Sequence, residues 1–158
     1  MLSTPISAKK TIQLARILEF DLYKAGYKIT KPGIVTIADS TRIKFYTNLF
    51  NVGTAKDSIE YNLGGPVAWS KNPRDKSLYR FENTTKVFIN FSVTKFALTY
   101  YDSNSVKLAT PVTGTNLNKI KAIRVLLTLE SPEPFDTSHG TVGYVGGYYQ
   151  KLIYPRNL

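Results

Sequence analysis

The chain has 158 residues, of which 42% are hydrophobic and 20% charged, so it fits one folded domain and is not a chain disordered throughout. Twenty-one lysines and arginines against 11 aspartates and glutamates leave a net charge of +10, which would attract nucleic acid, acidic polysaccharide or anionic lipid. The chain contains no cysteine, which excludes disulfides, thiolate metal sites and thiol nucleophiles together.

One domain over residues 1–158 is predicted, with a helix over about residues 7–25 and β structure over 34–154. At about 100° per residue, one helical stripe contains Leu14, Ile17, Leu18, Leu22 and Ala25, and Gly26 provides the stop. A second apolar set, Ile12, Phe20 and Tyr23, lies on roughly the opposite side. Two apolar faces suggest that one packs on the sheet and the other meets a partner; alternatively, the aromatic residues drape over the sheet edge.

Asp21 is the exception within the packing stripe, because its angle places a carboxylate among apolar residues. An unpaired carboxylate there would be costly. We therefore expect Asp21 to cap backbone N–H groups or to pair with an arginine, for which Arg156 is the candidate.

The rest of the chain alternates between apolar and polar residues and is punctuated by turn signals, which predicts an antiparallel sheet or two small sheets. The run at 87–93 is either one strand or a strand with a break near Asn90. The stretch 131–143 has two prolines and two glycines and is expected to be an irregular loop. The predicted strands cover residues 34–38, 41–46, 57–63, 67–70, 77–81, 87–93, 95–101, 106–108, 120–130 and 148–154.

Catalysis and metal binding find little support in the sequence. His139, the only histidine, lies so close to Asp136 and Ser138 that a catalytic triad geometry is not expected, and no nucleophile elbow occurs. Asp102 and Asn104 have the spacing of two calcium ligands, but the remaining ligands are missing and a turn is expected. We expect no enzyme activity, no cofactor, no metal and no small-molecule substrate.

Binding is the more plausible chemistry. Trp69 lies near Lys71 and Arg74, and Tyr148 lies near Lys151. Aromatic rings beside cations can stack bases and hold phosphates, so these five residues are candidates for binding DNA or another polyanion. The same pattern is also typical of an aromatic-rich antiparallel sheet.

Several segments, taken in order, resemble the minor pilins of type IV pili and the minor pseudopilins of type II secretion, most closely the W-type pilin and the J-type pseudopilin. Each motif alone is weak, but their order and spacing over roughly residues 14–158 are fairly specific. The segments that carry the resemblance are Arg16 with 19–27, Ile43-Lys44-Phe45, 57–63, Leu78-Tyr79-Arg80, Val93 with 96–102, 123–129 and the ending Pro155-Arg156-Asn157-Leu158.

This resemblance implies an α+β, pilin-like fold with the N-terminal helix packed on antiparallel β structure, and a structural role in initiating or capping a pilus or pseudopilus. It also implies partners that are other pilin or pseudopilin subunits and a location outside the cytoplasm. One side of the helix would pack on the sheet, through Leu14, Ile17, Leu18, Asp21, Leu22 and Ala25. The other would face neighbouring subunits, through Ile12, Arg16, Glu19, Phe20 and Tyr23.

The sequence departs from the family at its start. Family members begin with a prepilin peptidase site and about 20 apolar residues that anchor the subunit in the membrane. Residues 1–11 contain neither feature, and Met1–Pro5 also lack a signal-peptide core. We therefore expect the sequence to be the soluble part of a longer, membrane-anchored protein. The runner-up function is an extracellular binding module for a polyanion.

Overall fold

A computed structural model describes residues 4–136 and 142–158 of the chain. Within these residues there are one α-helix, α1, ten strands that follow it, and a short 3-10 helix among the strands at Gly114–Lys119. The bounds are α1 Thr4–Tyr23, β1 Val35–Ala38, β2 Arg42–Thr47, β3 Asp57–Pro66, β4 Lys76–Glu82, β5 Thr85–Tyr101, β6 Lys107–Leu108, β7 Ala122–Glu130, β8 Phe135–Asp136, β9 Val142–Gly143 and β10 Gly146–Ile153.

The strands form one large antiparallel sheet in the order β1-β2-β3-β4-β5-β7-β10, with β6 added to the end of β5. Strands β8 and β9 pair only with each other. Helix α1 lies across β7 and β10, and its side chains also reach β3 and β4. The expected single helix packed on antiparallel β structure is confirmed, although most of the β structure belongs to one sheet.

Helix α1 begins at Thr4 and ends at Tyr23, whereas the sequence pattern predicted about residues 7–25. The chain continues as turns through residue 28, and Ala25 stays buried although it lies outside the helix. Gly26 has a φ of +79°, and a Cβ there would lie 2.7 Å from Ile34 Cδ1 and 3.0 Å from the Asn157 carbonyl oxygen. Both the backbone conformation and the close approach of the C-terminal segment therefore require glycine here.

The core lies between α1 and one face of the sheet. Alternation places Ile43 and Phe45 of β2 inward, and the same period-two pattern governs β7. The fully buried large side chains include Leu14, Leu18, Leu22, Ile43, Phe45, Ile59, Tyr61, Leu78, Phe96, Tyr100, Ile120 and Ile123. The apolar side of α1 therefore meets a continuous apolar sheet face.

Strand β5 runs unbroken for 17 residues. Of the two alternatives for the run at 87–93, one strand is therefore correct and a break near Asn90 is not. Its pairing with β4 shifts register twice, and Ser92 has a φ of 71°. The Ser92 N–H donates to Asp75 Oδ1 at 2.7 Å, which satisfies a donor that the irregular ladder leaves free. The irregularity is a bulge and does not end the strand.

Two predictions about strands were wrong. Residues 67–70 form a turn and not a strand, because the Ser70 N–H donates to the Val67 carbonyl oxygen and the loop folds back on itself. The stretch 131–143 contains the short strands β8 and β9 where an irregular loop was expected. Strands of two residues carry too little periodicity to be recognised in a sequence.

Candidate assembly surface

Helix α1 has one buried side and one exposed side, and the buried side packs on the sheet. Leu14, Leu18 and Leu22 are each no more than 1% exposed, and each such side chain contributes roughly 1.5–3 kcal/mol through removal from water. Asp21 and Ala25 are buried with them. All five are buried as the sequence pattern predicted, although Ala25 lies in the turn after the helix.

Ile17 is a correction to the predicted packing side, because it is 42% exposed. At about 100° per residue it lies about 60° beyond Leu14, on the side away from Leu18. It therefore borders the buried stripe without entering it and joins the exposed side of the helix.

The buried Asp21 carboxylate is held by β3 and β4. The Tyr61 hydroxyl donates to Oδ2 at 2.5 Å. Arg80 binds the same carboxylate with two donors, Nε to Oδ2 at 2.7 Å and Nη2 to Oδ1 at 3.0 Å. Arg80 Nη1 also donates to Glu82 Oε2 at 2.5 Å. The expected pairing of Asp21 with an arginine is confirmed, but Arg156 was the wrong candidate.

This ion cluster shifts the pKa values of two of its members. Burial, followed by the neighbouring Asp21 carboxylate, raises the pKa of Tyr61 well above its usual value. Burial acts to lower the pKa of the Arg80 guanidinium, but hydrogen bonds to Asp21 and Glu82 outweigh it and the pKa is raised. Tyr61 therefore stays neutral and donating, and Arg80 stays cationic, throughout the physiological range.

Large apolar side chains are exposed along the other side of α1. Ile12 is 50% exposed, Phe20 60% and Tyr23 41%, and Ile17 lies beyond Phe20, at the border with the buried side. Phe50, in the loop after β2, is 64% exposed and lines a shallow groove together with Phe20 and Ile17. We call the set Ile12, Ile17, Phe20, Tyr23 and Phe50 the exposed apolar face. No described element of the chain covers it.

Arg16 and Glu19, the charged residues predicted for the assembly side, have different surroundings. Arg16 is exposed and lines the groove beside Ile17. Glu19 is only partly exposed, because it accepts hydrogen bonds from the Tyr149 hydroxyl and from Lys151 Nζ, the latter at 3.3 Å. Glu19 therefore connects α1 to β10 within the same subunit, which corrects its predicted assignment.

Tyr149 is the residue that the sequence pattern missed at this contact. Burial, followed by the hydrogen bond to Glu19, raises the pKa of its hydroxyl. Its inward direction follows from alternation, because Ile153 lies on the same strand at the same parity and is fully buried. The alternation along β10 therefore indicated that Tyr149 points inward. Alternation alone does not show that strand pairing brings β10 under Glu19.

The three cations predicted to bind a polyanion all pair with carboxylates of this chain. Lys71 Nζ lies 3.0 Å from Glu133, Arg74 Nη2 lies 2.6 Å from Glu130, and Lys151 binds Glu19. The exposed ring of Tyr148 is not brought together with Lys151 as one site. Tyr148 and Lys151 lie at opposite parity on β10, so their side chains leave opposite faces of the sheet.

Two features were considered for catalysis or metal binding, namely His139 and the turn that contains Asp102 and Asn104. His139 lies outside the described residues. Within the described part of the chain, no cluster of histidine, aspartate or glutamate is arranged to hold a metal. The Asp102 carboxylate accepts the N–H groups of Asn104 and Val106, both at 2.9 Å, and so closes the turn that the sequence predicts. Residues 4–136 and 142–158 contain no helix with the length and apolar character needed to cross a membrane.

A solved structure of a type IV-like pilin from Thermus thermophilus matches this architecture with a TM-score of 0.60. The match covers 95% of each chain, and the sequence identity is 13%. The chain therefore has a pilin-like fold, in agreement with the resemblance found in its sequence. No protein-family model and no curated protein sequence matches the chain.

Proposed function

We propose that this chain is a pilus-type structural subunit that assembles with other pilin-like subunits through the exposed side of α1. The observation that carries the proposal is the exposed apolar face, on a helix whose opposite side is buried and held by an ion cluster. A helix that only covers a sheet requires one apolar side. Contiguous exposed apolar surface of this kind marks a site of protein–protein contact.

The geometry suits assembly because the exposed apolar face is presented by a rigid element. Leu14, Leu18 and Leu22 fix the helix on the sheet, and the Asp21–Arg80 pair fixes its rotation. A docking surface that is already ordered loses little conformational entropy on binding. The aromatic members Phe20 and Tyr23 belong to the residue types that contribute most to protein interfaces.

At finer detail, the subunit initiates or caps a type IV pilus or a type II secretion pseudopilus, acts outside the cytoplasm and performs no enzymatic turnover. The sequence resemblance to minor pilins and minor pseudopilins supports this assignment. Immunogold labelling of filaments from the source cells tests it directly. Label at filament tips supports an initiating or capping role, whereas label along the whole filament shows a major subunit and contradicts the minor role.

The experiment for the assembly surface replaces Phe20 with glutamate in the source cells. We expect fewer surface filaments by electron microscopy, or less secreted substrate, at an unchanged level of the protein. Val106→Glu is the matched control, since Val106 is 56% exposed and lies in the turn between β5 and β6. Equal filament numbers and equal secretion in the Phe20→Glu, Val106→Glu and unmodified cells would contradict the proposal.

A further inference from the structure

A second groove lies at the C-terminal end of α1 and shares Phe20 with the exposed apolar face. Its walls are Phe20, Tyr23, Lys24, Tyr27, Arg156 and Asn157. Lys28 borders the groove, with its Nζ 5.5 Å from the centre of the Tyr27 ring. We call these seven residues the cationic groove. It combines three cations with three aromatic rings and no carboxylate.

The three cations of this groove are not neutralised by the described residues. Lys24 Nζ donates to the Leu49 carbonyl oxygen at 2.8 Å, and Lys28 Nζ donates to Asn51 Oδ1 at 2.6 Å. Both acceptors are neutral, and an ammonium group has three donors. Arg156 is exposed and makes no ion pair within the described part of the chain.

The local field therefore favours an anion. The C-terminus of α1 contributes the equivalent of roughly −0.5 elementary charge from its aligned peptide dipoles. The positive charge of Lys24, Lys28 and Arg156 together is about six times as large as this negative contribution. Lys24 and Lys28 donate to uncharged oxygens in this structure. A carboxylate in the groove would give these cations charge-assisted hydrogen bonds, which are stronger.

The arrangement of the rings favours an acidic peptide over a nucleic acid. Lys24 Nζ lies 5.5 Å from the Phe20 ring centre and 5.6 Å from that of Tyr27, and Lys28 also approaches Tyr27. Because both ammonium groups approach the Tyr27 ring, a base stacking on that ring would have to displace one of them. Phe20 nevertheless stays 60% exposed and continuous with the exposed apolar face, so it can receive an apolar side chain.

We infer that the cationic groove binds an acidic segment of a neighbouring subunit, with one apolar side chain against Phe20 and carboxylates paired with Lys24, Lys28 and Arg156. The inference rests on the proposed function only in assigning the segment to a subunit. The chemistry of the segment follows from the groove itself. Binding of this kind is steered by charge and weakens as salt is added.

The test is fluorescence anisotropy with a labelled peptide of glutamates around one central phenylalanine. We expect saturable binding at low salt, weakened at least about tenfold by Lys24→Gln combined with Arg156→Gln. Arg156→Gln alone should give a smaller loss, and thermal unfolding checks that each variant is folded. The control is Lys95→Gln combined with Lys107→Gln, which removes the same charge from exposed residues of β5 and β6.

Each remaining outcome decides the inference. Equal loss in the control pair shows a general effect of net charge and overturns it. Equal binding of a peptide with serine in place of the phenylalanine removes the role of Phe20. Binding of a DNA oligonucleotide that depends on Lys24, without binding of the acidic peptide, assigns the groove to nucleic acid instead. If the acidic peptide fails to bind while Phe20→Glu still reduces assembly, the subunit role survives and this inference does not.

Discussion

The buried and exposed sides of α1 are built from similar residues, yet they have different surroundings. Leu14, Leu18 and Leu22 meet the apolar face of the sheet, and Asp21 among them meets Arg80 and Tyr61. Ile12, Ile17, Phe20 and Tyr23 stay 41–60% exposed, although Lys151 of β10 approaches the Tyr23 ring to 5.8 Å. The difference teaches that hydrophobicity alone does not distinguish a packing side from a docking side. The position of the ion cluster does, because it fixes which side faces inward.

The largest expected effect comes from breaking the ion cluster. Arg80→Ala removes two of the three donors to the buried Asp21 carboxylate, leaving the Tyr61 hydroxyl, and one donor to Glu82. It should lower the free energy of unfolding by about 3–5 kcal/mol. Urea denaturation measures this loss. The matched control is Arg42→Ala, because the Arg42–Glu60 pair joins neighbouring strands with Arg42 44% exposed, and such pairs contribute about 0–1 kcal/mol. Similar losses in the two variants would show that the cluster does not fix the helix.

The second prediction compares adjacent residues on the two sides of the helix. Leu18→Ala should cost about 2–5 kcal/mol, because the side chain is fully buried and leaves a cavity. Ile17→Ala should change stability by no more than about 1 kcal/mol, since Ile17 is exposed and its loss leaves no cavity. Both changes are measured from the midpoint of urea denaturation, provided that the m-value stays the same. Equal costs would mean that Ile17 packs on the sheet after all.

The smallest expected effect concerns pH and the Tyr61 hydroxyl. Burial raises its folded pKa above the ordinary value of 10.0, so above pH 10 the unfolded chain loses a proton that the folded chain keeps. Stability contributed by this tyrosine is therefore fully present below pH 10 and falls above it, by about 1.4 kcal/mol per pH unit. Tyr61→Phe should make the alkaline slope of the unfolding free energy shallower by that amount. An unchanged slope would show that Tyr61 titrates normally when folded.

Much of this architecture follows from local patterns. The helix ends at Tyr23, shortly before Gly26 with its positive φ, and alternation identified the strands that contribute most of the core. Arg80 was identifiable as an inward residue, since it shares parity with buried Leu78 on β4. What parity could not show is that β4 passes beneath Asp21, because strand order is set by long-range pairing.

The assembly surface was only partly predictable for the same reason. The angles of Ile12, Phe20 and Tyr23 placed them correctly on the exposed side. Ile17 and Glu19 were misassigned because each lies at a border of the helix, where the neighbouring strand decides burial. The contact of Glu19 with Tyr149 spans 130 residues of sequence, and no local periodicity encodes it.

The central claim is that the exposed side of α1 contacts other subunits. The most direct measurement places a photoreactive phenylalanine analogue at Phe20, and separately at Val106, in the source cells and identifies the adducts by mass spectrometry. We predict that position 20 crosslinks to the helix of another pilin-like subunit and that position 106 does not. The claim would be contradicted if position 20 gave no crosslink to another pilin-like subunit. It would also be contradicted if the crosslinks at position 20 were no stronger than those at position 106.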